Sequence, residues 1–337
     1  MGIEAPTLLS LLEEKQGDFV SGEEISQKLN VSRTAIWKQI RKLEAQGYTI
    51  EAVNRLGYRI LERPSRISPV ELSLKLKTHT FGRNVHVHEV VASTQDVLRD
   101  LAEAGAPEGT LVVAEQQNRG RGRMGRSWVS PPGKGIWMSL LLRPNVPLLQ
   151  TPQLTLLAAV ALNRAIERVT GLDIGIKWPN DLLIDGRKIS GILLESATED
   201  ERIRYVVVGM GISVNLEETD YPEEVAAKAV SLRMASGRVL DRIELIAEIL
   251  KEFEELYSVF NASGFEPIRL LWEARSINLN KPTALMTAGG RIEGIPRGIS
   301  ETGALIVETP DGGMQTVYSA EINPWEPAAG QDGQQKA

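Results

Sequence analysis

The sequence has no cysteine among its 337 residues and only three histidines, His79, His86 and His88. The missing thiols exclude a disulfide framework and thiolate metal ligands. Three imidazoles are too few to suggest a zinc site, and no metal site built from side chains is expected. No apolar run approaches the roughly 18 residues that cross a bilayer. The acidic start Met-Gly-Ile-Glu is unlike a secretory signal. These absences favour a cytoplasmic enzyme or regulator with no membrane partner.

Positive charge is also scarce in the chain as a whole. The formal net charge is −6 and the pI is about 5.4, which argues against a dedicated nucleic-acid binder. This average hides an asymmetry, because residues 1–64 hold nine basic and nine acidic residues and the rest carries the whole negative balance. With 42% hydrophobic and 24% charged residues over this length, two or three globular domains are expected.

Two helices separated by a short turn are predicted in the first 64 residues. One is opened by a Ser-x-x-Glu capping box at Ser21 and ends near Asn30. The next begins at Ser32, and between residues 32 and 43 it carries four basic residues and no acid, the pattern of a helix that lies against phosphates. Its apolar face consists of Ile36, Ile40 and Leu43.

A hairpin follows at residues 48–60, with its turn at Asn54-Arg-Leu-Gly57. Together with the two helices it predicts a winged helix-turn-helix whose second helix contacts DNA. Two positions are open for Trp37, resting on the wing or facing the duplex, and packing is favoured. The proline-containing stretch 62–69 is the expected linker. A helical protein-interaction module with a solvated basic helix is the alternative. The expected DNA-binding residues are Ser32, Arg33, Thr34, Lys38 and Arg41.

A loop rich in glycine and arginine follows the apolar strand predicted at 110–114. Its glycines match G-x-G-x-x-G, and residues 120–127 differ from a P-loop by having Arg126 in place of lysine. Both fingerprints require a helix directly after the loop, whereas the chain continues as Trp-Val-Ser-Pro-Pro-Gly. We therefore reject both and infer an anion-binding loop, with a ligand-free surface loop as the alternative. Its guanidinium groups are Arg119, Arg121, Arg123 and Arg126.

A second constellation, Lys177-Trp-Pro-Asn-Asp181, leads through a turn into Arg187-Lys188, with Lys188 at the start of a predicted strand. These motifs, the winged helix, Ala92-Ser-Thr-Gln95, the Gly120–Arg126 loop and a small terminal barrel occur in an order that resembles the biotin–protein ligase family. The resemblance is greatest to its bifunctional members, which also repress the biotin operon. It covers about residues 5–322, and the joint occurrence of the motifs is highly specific.

This resemblance implies a two-step reaction. Biotin is activated with ATP to biotinyl-5′-adenylate, and biotin then passes to one lysine of a biotin carboxyl carrier protein as AMP leaves. ATP and Mg²⁺ are the implied cofactors, and biotin is the substrate. The chain needs no catalytic nucleophile of its own for this chemistry.

The resemblance also implies residues that bind the polar head of biotin. Ser93, Thr94 and Gln117 match positions that hydrogen-bond the ureido group, which would be costly to bury without partners. Gln95 stands where asparagine is common in the family, so its contact follows less directly from the resemblance.

The implied catalytic residues are Lys188, Arg121 and Arg123. Lys188 would bring the biotin carboxylate and the α-phosphate together, and the arginines, with Gly122, would close over both anions. Asp181 is a candidate for metal binding or proton acceptance. The implied supporting and nucleotide-binding residues are Gly120, Gly125, Lys177, Asp181 and Asn215, and Trp128 and Trp178 are expected to pack.

The predicted fold class is α+β and multidomain. Apolar periodicity predicts a helix at 151–170 and a buried strand at 203–208, and short strands separated by glycine turns follow residue 281. The expected domains are a winged helix-turn-helix at 1–63, a mixed α/β biotin-ligase catalytic domain at 64–275, an SH3-like β-barrel at 276–325 and a disordered tail at 326–337.

Two activities on one chain suggest a linkage between them. The adenylate would order the arginine loop and promote a homodimer, which places two winged helices on operator DNA. A ligase with an inert DNA-binding domain and a biotin-sensing regulator without ligase activity are the alternatives. A lipoate-attaching enzyme would share the catalytic architecture, but the Gly-Arg-Gly-Arg loop favours biotin.

Overall fold

The chain folds into two units that are each held by their own contacts, Met1–Leu76 and Lys77–Ala337. The computed structural model describes residues 7–15, 17–45, 48–62, 66–199 and 202–324. The tail expected at 326–337 and residues 63–65 of the expected linker therefore lie outside the described residues.

The N-terminal unit has the winged helix-turn-helix that the sequence predicts. Ser21 accepts a hydrogen bond from the backbone N–H of Glu24 at 3.0 Å, which opens the second helix, and Asn30 ends it in the left-handed conformation. The elements are α1 (Leu8–Glu14), α2 (Gly22–Leu29), α3 (Arg33–Ala45), β1 (Thr49–Val53), β2 (Gly57–Glu62) and α4 (Pro69–Lys75). The leucines of α1 share a buried core with Ile25, Ile36 and Ile40.

Gly57 fixes the antiparallel hairpin of β1 and β2 to the connection between α1 and α2. Its φ is +112°, and a Cβ there would lie 2.0 Å from the carbonyl oxygen of Val20. Only glycine fits this close approach, which lets Val20 and Tyr58 exchange backbone hydrogen bonds. The wing, which is the hairpin of β1 and β2, is therefore fixed to the rest of the N-terminal unit.

The favoured expectation that Trp37 packs on the wing is wrong. Its side chain is 54% exposed, because α3 buries the face that carries Ile36 and Ile40, and position 37 lies about 100° around the helix from position 36. The guanidinium carbon of Arg41, one turn later, lies 5.1 Å from the centre of the indole.

The helix α4 belongs to the N-terminal unit, whereas the sequence places the domain boundary at residue 63. The Tyr48 hydroxyl donates a 2.8 Å hydrogen bond to Glu71 of α4, and both side chains are buried. Burial raises the pKa of Tyr48, and the bond to Glu71 raises it further. The phenol therefore stays a neutral donor and holds α4 against the wing.

A mixed sheet of seven strands organises the second unit. The strands are β3 (Val85–Val91), β4 (Leu111–Gln117), β5 (Ile136–Leu142), β6 (Gly175–Lys177), β7 (Asp181–Ile184), β8 (Arg187–Glu199) and β9 (Arg202–Ile212). Their order is β3-β4-β5-β9-β8-β7-β6, in which β3 and β4 are parallel and the other neighbours are antiparallel. The predicted strand, turn and strand around Lys188 are β7 and β8.

Six helices accompany this sheet. The helix predicted at 151–170 is present, and its apolar residues are buried against a second long helix. The helices are α5 (Thr94–Glu103), α6 (Thr151–Thr170), α7 (Glu223–Ala226), α8 (Leu232–Ser236), α9 (Arg242–Ser263) and α10 (Glu266–Arg275). Of these, α5 packs on the sheet through Leu98 and Ala102, which fixes its N-terminus at the end of β3.

The remaining strands form the small antiparallel sheet that the sequence predicts after residue 281. They are β10 (Thr283–Thr287), β11 (Gly290–Ile299), β12 (Leu305–Glu308), β13 (Met314–Val317) and β14 (Glu321–Pro324), in the order β13-β12-β11-β10-β14. Glu273 of α10 accepts the backbone N–H of Ile299 at 3.0 Å and so ties this small sheet to the helices that accompany the seven-stranded sheet. Within the described ranges, no helix is long and apolar enough to cross a membrane.

Candidate active site

A cavity of about 340 Å³ opens where the glycine-rich faces of β8 and β9 meet the N-terminus of α5 and the arginine loop. This volume is in the range of small-molecule sites. The small C-terminal sheet also reaches it through Glu321 and Ile322. Ten sequence-predicted site residues line the cavity: Ser93, Thr94, Gln95, Gln117, Arg121, Gly122, Arg123, Lys177, Asp181 and Lys188.

Three predicted site residues do not line the cavity. Asn215 has both ends of its amide engaged by the backbone of Leu240, at 2.9 and 3.0 Å, so it braces this loop, and its contact with a nucleotide stays a prediction. Gly120 and Gly125 shape the arginine loop. A Cβ on Gly120 would lie 2.5 Å from the Trp128 carbonyl oxygen, and Gly125 has a φ of +74°.

A polar network forms one side of the cavity. The side-chain carbonyl of Gln117 accepts the backbone N–H of Thr94 at 2.9 Å, and its amide N–H donates to Ser130 at 3.1 Å. The Thr94 hydroxyl lies 2.8 Å from that of Ser139 in the neighbouring strand β5. Ser93 is the N-cap of α5, and its hydroxyl accepts the backbone N–H of Gln95 at 3.3 Å. These bonds fix the side chains before any ligand arrives.

Gln95 is the exception within this network. Its side chain is buried, and both its amide oxygen and its amide nitrogen lack a hydrogen-bond partner among the described residues. It lies over Gly209 of β9, where a Cβ would approach the amide carbon to 2.9 Å. A buried amide without partners costs free energy. The cavity therefore offers an unsatisfied donor and acceptor to a polar ligand.

The indole of Trp128 forms one wall of the cavity. Trp128 lies so close to Gly211 that a Cβ there would be 2.5 Å from its ring nitrogen, and Gly191 of β8 is also in contact range of the ring. The Lys188 ammonium lies 5.2 Å from the centre of the indole. The expectation of packing holds for Trp178, which is 2% exposed, and both Trp178 and Trp128 line the cavity.

The Lys188 ammonium lies 2.7 Å from the Asp181 carboxylate, and both side chains are partly exposed to the cavity. β7 and β8 are hydrogen-bonded neighbours, which places the two groups side by side. This cation is therefore held in place but is not buried, so it can also meet an anion that enters the cavity.

The arginine loop has no helix after it, as the sequence indicates: one short turn at Arg123–Gly125 is followed by irregular chain up to β5. Arg121 makes a bidentate contact with Asp96 of α5, with distances of 2.8 and 2.9 Å. Arg123 donates to Asn180 at 3.3 Å and to Ser319 at 2.7 Å, next to β14.

Arg126 completes the attachment of the loop to the small sheet. It donates to Glu321 of β14 at 2.5 Å, across 195 positions of sequence. The loop is therefore closed over the cavity by contacts to two distant parts of the chain. The mutual repulsion expected of its arginines is relieved by acids that are remote in sequence.

The ionisation of these groups follows from their partners. The hydrogen bonds from Arg121 lower the pKa of Asp96, and the bond from Arg126 lowers that of Glu321. Burial, in contrast, lowers the pKa of the Arg123 guanidinium, although Asp181 partly opposes this effect. Of the three loop arginines that line the cavity, Arg121 and Arg126 donate to carboxylates, whereas Arg123 donates to the neutral side chains of Asn180 and Ser319.

Sequence reasoning missed Asp96 and Glu321 as the partners of the loop. Asp96 directly follows the Ser-Thr-Gln motif, and that position was the available signal. Glu321 lies in a short strand with no motif of its own. Within the described part of the chain, no group of three or more His, Asp or Glu side chains is arranged to hold a metal ion.

The predicted DNA-binding residues share one surface of the N-terminal unit. Arg33, Thr34, Lys38 and Arg41 are exposed on the face of α3 opposite its core residues. Ser32 is exposed and caps the helix, since its hydroxyl accepts the backbone N–H of Ala35 at 3.3 Å. Arg41 is also paired with Glu44 at 3.2 Å, which partly offsets its charge.

Comparisons with known proteins agree with this architecture. Three family models match the chain: an HTH domain at 6–59, the Biotin/lipoate A/B protein ligase family at 87–213 and the Biotin protein ligase C terminal domain at 279–323. A solved biotin protein ligase from Aquifex aeolicus in complex with biotin and ATP superposes with a TM-score of 0.62 at 32% identity. That match covers 72% of this chain and 98% of the other.

The fold and the site thus define a biotin-type protein ligase that carries a helix-turn-helix. The bifunctional ligase/repressor BirA of Bacillus subtilis (strain 168) is 45% identical over 315 residues, which are 94% of this chain and 97% of the relative. BirA of Escherichia coli (strain K12) is 30% identical over 316 residues, 94% and 95% of the two chains. The chain belongs to the family of bifunctional biotin–protein ligases and repressors.

Proposed function

We propose that this chain joins biotin to ATP to form biotinyl-5′-adenylate and then transfers biotin to one lysine of a biotin carboxyl carrier protein. The observation that carries the proposal is the unpartnered amide of Gln95 in a cavity that also presents Lys188, Arg121 and Arg123. Biotin matches this set because it has a ureido head and a carboxylate. The similarity to a ligase solved with biotin and ATP supports the same conclusion.

The ureido group has two N–H donors and one carbonyl acceptor. Gln95 supplies an acceptor and a donor that the protein leaves unused, and the Ser93 hydroxyl at the start of α5 adds a third polar group. Because these groups are fixed by α5 and the sheet, they bind the head without an ordering cost. The apolar ring and chain of biotin would lie between Trp128 and the glycines of β8 and β9.

In the activation step, an oxygen of the biotin carboxylate attacks the α-phosphorus of ATP. The bond to the β-phosphate oxygen breaks, and pyrophosphate leaves with its electron pair. Two anions must approach each other, so fixed cations lower the barrier. Lys188 is placed to neutralise both reacting groups, and Arg123, which donates to neutral side chains and not to a carboxylate, is placed to bind phosphate oxygens.

In the transfer step, the neutral amine of the carrier lysine attacks the carbonyl carbon of the mixed anhydride. The bond to the phosphate oxygen breaks, AMP leaves, and the amine loses a proton. Asp181 is the proposed proton acceptor, since its carboxylate lines the cavity beside the Lys188 ammonium, where the biotin carboxyl group is proposed to bind. No covalent intermediate with the chain is required.

Mg²⁺ is proposed to enter with ATP. Because the described residues hold no cluster of three metal-ligating side chains, the ion would be held mainly by phosphate oxygens and water, with Asp181 as the available carboxylate. When bound, it supplies charge neutralisation for the leaving pyrophosphate.

The basic face of α3 supports a second activity, binding to operator DNA in the cytoplasm. We propose that the adenylate strengthens DNA binding by promoting a homodimer. Sedimentation with and without biotin and ATP tests this linkage, and an unchanged association state would exclude it.

The ligase activity is tested by incubating the full chain with labelled biotin, ATP–Mg²⁺ and a biotin carboxyl carrier domain. Label is expected in the adenylate without the carrier, and on one carrier lysine with it. A parallel reaction with labelled lipoate is expected to give no product. Lipoyl transfer, or no adenylate from biotin, would contradict the proposal. A gel shift of duplex DNA with and without the adenylate separates the bifunctional protein from a ligase whose N-terminal unit is inert.

A further inference from the structure

The exposed face of α3 contains one large apolar side chain. Arg33, Trp37 and Arg41 follow each other at intervals of one turn, and the neighbouring row is Thr34, Lys38 and Lys42. The six side chains are all exposed. Trp37 therefore stands at the centre of a surface made of four cations and a threonine.

The indole of Trp37 is held in place although it is exposed. The guanidinium of Arg41 lies 5.1 Å from its centre, and Glu44 fixes the same guanidinium from the other side at 3.2 Å. A held ring loses little conformational freedom on binding, which is why rigid aromatic side chains are strong contact residues. The ring contributes nothing to the core of the N-terminal unit, since 54% of its surface is exposed.

The charges around Trp37 indicate which class of ligand binds this surface. A surface with four cations fits a polyanion, and α3 is the second helix of a helix-turn-helix, which lies in the major groove of duplex DNA. In that groove the C5-methyl group of thymine is the apolar feature of the base edges. An indole that stands between Arg33 and Arg41, beside a second row with two lysines, is therefore placed to meet thymine methyl groups when the cations contact phosphates.

We propose that Trp37 is a sequence-reading residue that packs against thymine methyl groups in the major groove. The inference rests on the proposed DNA binding of α3. The cations and the indole then have different roles in DNA binding. Lys38 and its charged neighbours contact phosphates and confer salt-dependent affinity, whereas Trp37 confers preference for thymine and contributes no salt dependence.

The experiment uses the full chain with biotin and ATP, and 40-bp duplexes that the wild type enriches from a random-sequence pool. Affinity is measured at several salt concentrations for wild type, Trp37→Ala, Lys38→Ala and Leu61→Ala. Leu61 is the matched control, because it is 52% exposed and lies on β2, away from α3. Each variant is also measured on the enriched duplex with deoxyuridine in place of thymidine, which removes the methyl groups alone. Melting temperatures verify folding, and Trp37→Phe retains a smaller ring if the alanine variant is unstable.

Trp37→Ala is expected to weaken binding to the enriched duplex about tenfold, the scale of one lost base contact, with an unchanged salt slope. Lys38→Ala should lower the slope by about one, and Leu61→Ala should match wild type. On the deoxyuridine duplex, wild type should lose affinity to the level of Trp37→Ala, and the variant should lose nothing further.

Wild-type affinity in Trp37→Ala would overturn the inference, as would a Trp37→Ala loss that persists unchanged on the deoxyuridine duplex. A lowered salt slope in Trp37→Ala would also overturn it, because the ring would then act only by placing Arg41. In each of these cases the Lys38→Ala effect leaves the DNA-binding proposal intact. If no duplex is enriched and Lys38→Ala has no effect on any duplex, the DNA-binding proposal itself fails.

Discussion

Replacement of Lys188 by alanine should abolish most adenylate formation while the fold persists. The ammonium lies in the cavity, 2.7 Å from Asp181 and 5.2 Å from the centre of the Trp128 ring. Its contribution to stability is small, because an ion pair between partly exposed groups is worth about 0–1 kcal/mol. Its contribution to the reaction is larger, because the attacking carboxylate and the α-phosphate must both lie beside it.

The magnitude follows from Coulomb's law. A unit cation about 4 Å from a unit anion gains about 4 kcal/mol at an effective dielectric constant of about 20. The Lys188 side chain is 34% exposed, which reduces this value, so about 3 to 4 kcal/mol of transition-state stabilisation is expected to be lost. That loss corresponds to a rate reduction of about 10² to 10³.

Alanine at position 188 also leaves the Asp181 carboxylate without its cation, beside two incoming anions. Part of the defect of Lys188→Ala is therefore repulsion, and the double variant with Asp181→Asn should recover about tenfold. Lys188→Arg should retain a fraction of the wild-type rate, because the charge stays while its position changes.

The assay is single-turnover formation of biotinyl-5′-adenylate from α-labelled ATP with enzyme in excess. Arg187→Ala is the matched control, since Arg187 is the adjacent cation of β8 and is not among the cavity-lining residues. Melting temperatures should agree across the series. A Lys188→Ala rate within threefold of wild type, or equal defects in Lys188→Ala and Arg187→Ala, would refute the electrostatic argument.

Three further predictions concern Gly209 of β9 and the arginine loop with its partner Asp96. Gly209→Ala should weaken biotin binding about tenfold in calorimetry, because its Cβ would lie 2.9 Å from the amide carbon of Gln95. Gly289→Ala is the control, because no atom would lie nearer than 3.7 Å to its Cβ. Equal affinities of the two variants would contradict the reasoning. Arg123→Ala should release the adenylate about tenfold faster in a filtration assay, and unchanged retention would count against the loop as a clamp. The hydrogen bond from Arg121 lowers the pKa of Asp96 in the folded protein. The pair therefore stabilises the fold at pH values above 3.8, the usual pKa of the aspartate side chain. This stabilisation is lost as the pH falls from there through the lower pKa of the folded state. The difference in unfolding free energy between wild type and Asp96→Asn should therefore shrink below about pH 4, and a difference independent of pH would exclude this linkage.

Local signals in the sequence were sufficient for several of the elements, and the order of the motifs brought together most of the residues that line the cavity. The capping serine at Ser21, the apolar face of α3 and the turn before Lys188 each depend on residues within a few positions of one another. The motif around Thr94 and the loop at Arg121 converge because strands β3 and β4 are parallel neighbours and end together. Motif order could therefore predict the residues that meet.

The errors and omissions concern contacts made over long distances in sequence. The acid that holds Arg126 lies 195 positions away, and no local pattern marks it. The hydrogen bonds between the Asn215 amide and the backbone of Leu240 were likewise not foreseen from the sequence. Trp37 is a different case, because packing on the wing was favoured over facing the duplex, whereas its side chain is exposed among the cations of α3.

The closure of the arginine loop has a consequence for the nascent chain. The loop at Arg126 is synthesised 195 residues before Glu321, and the helix-turn-helix core is complete earlier still. A ribosome-bound chain that ends before Ser319 therefore has its whole DNA-binding unit, together with a ligase cavity whose loop lacks both partners near β14. If the closed loop retains the adenylate, as predicted for Arg123, such a chain would release it before it could reach a carrier lysine, and retention would be acquired only once β14 has been made.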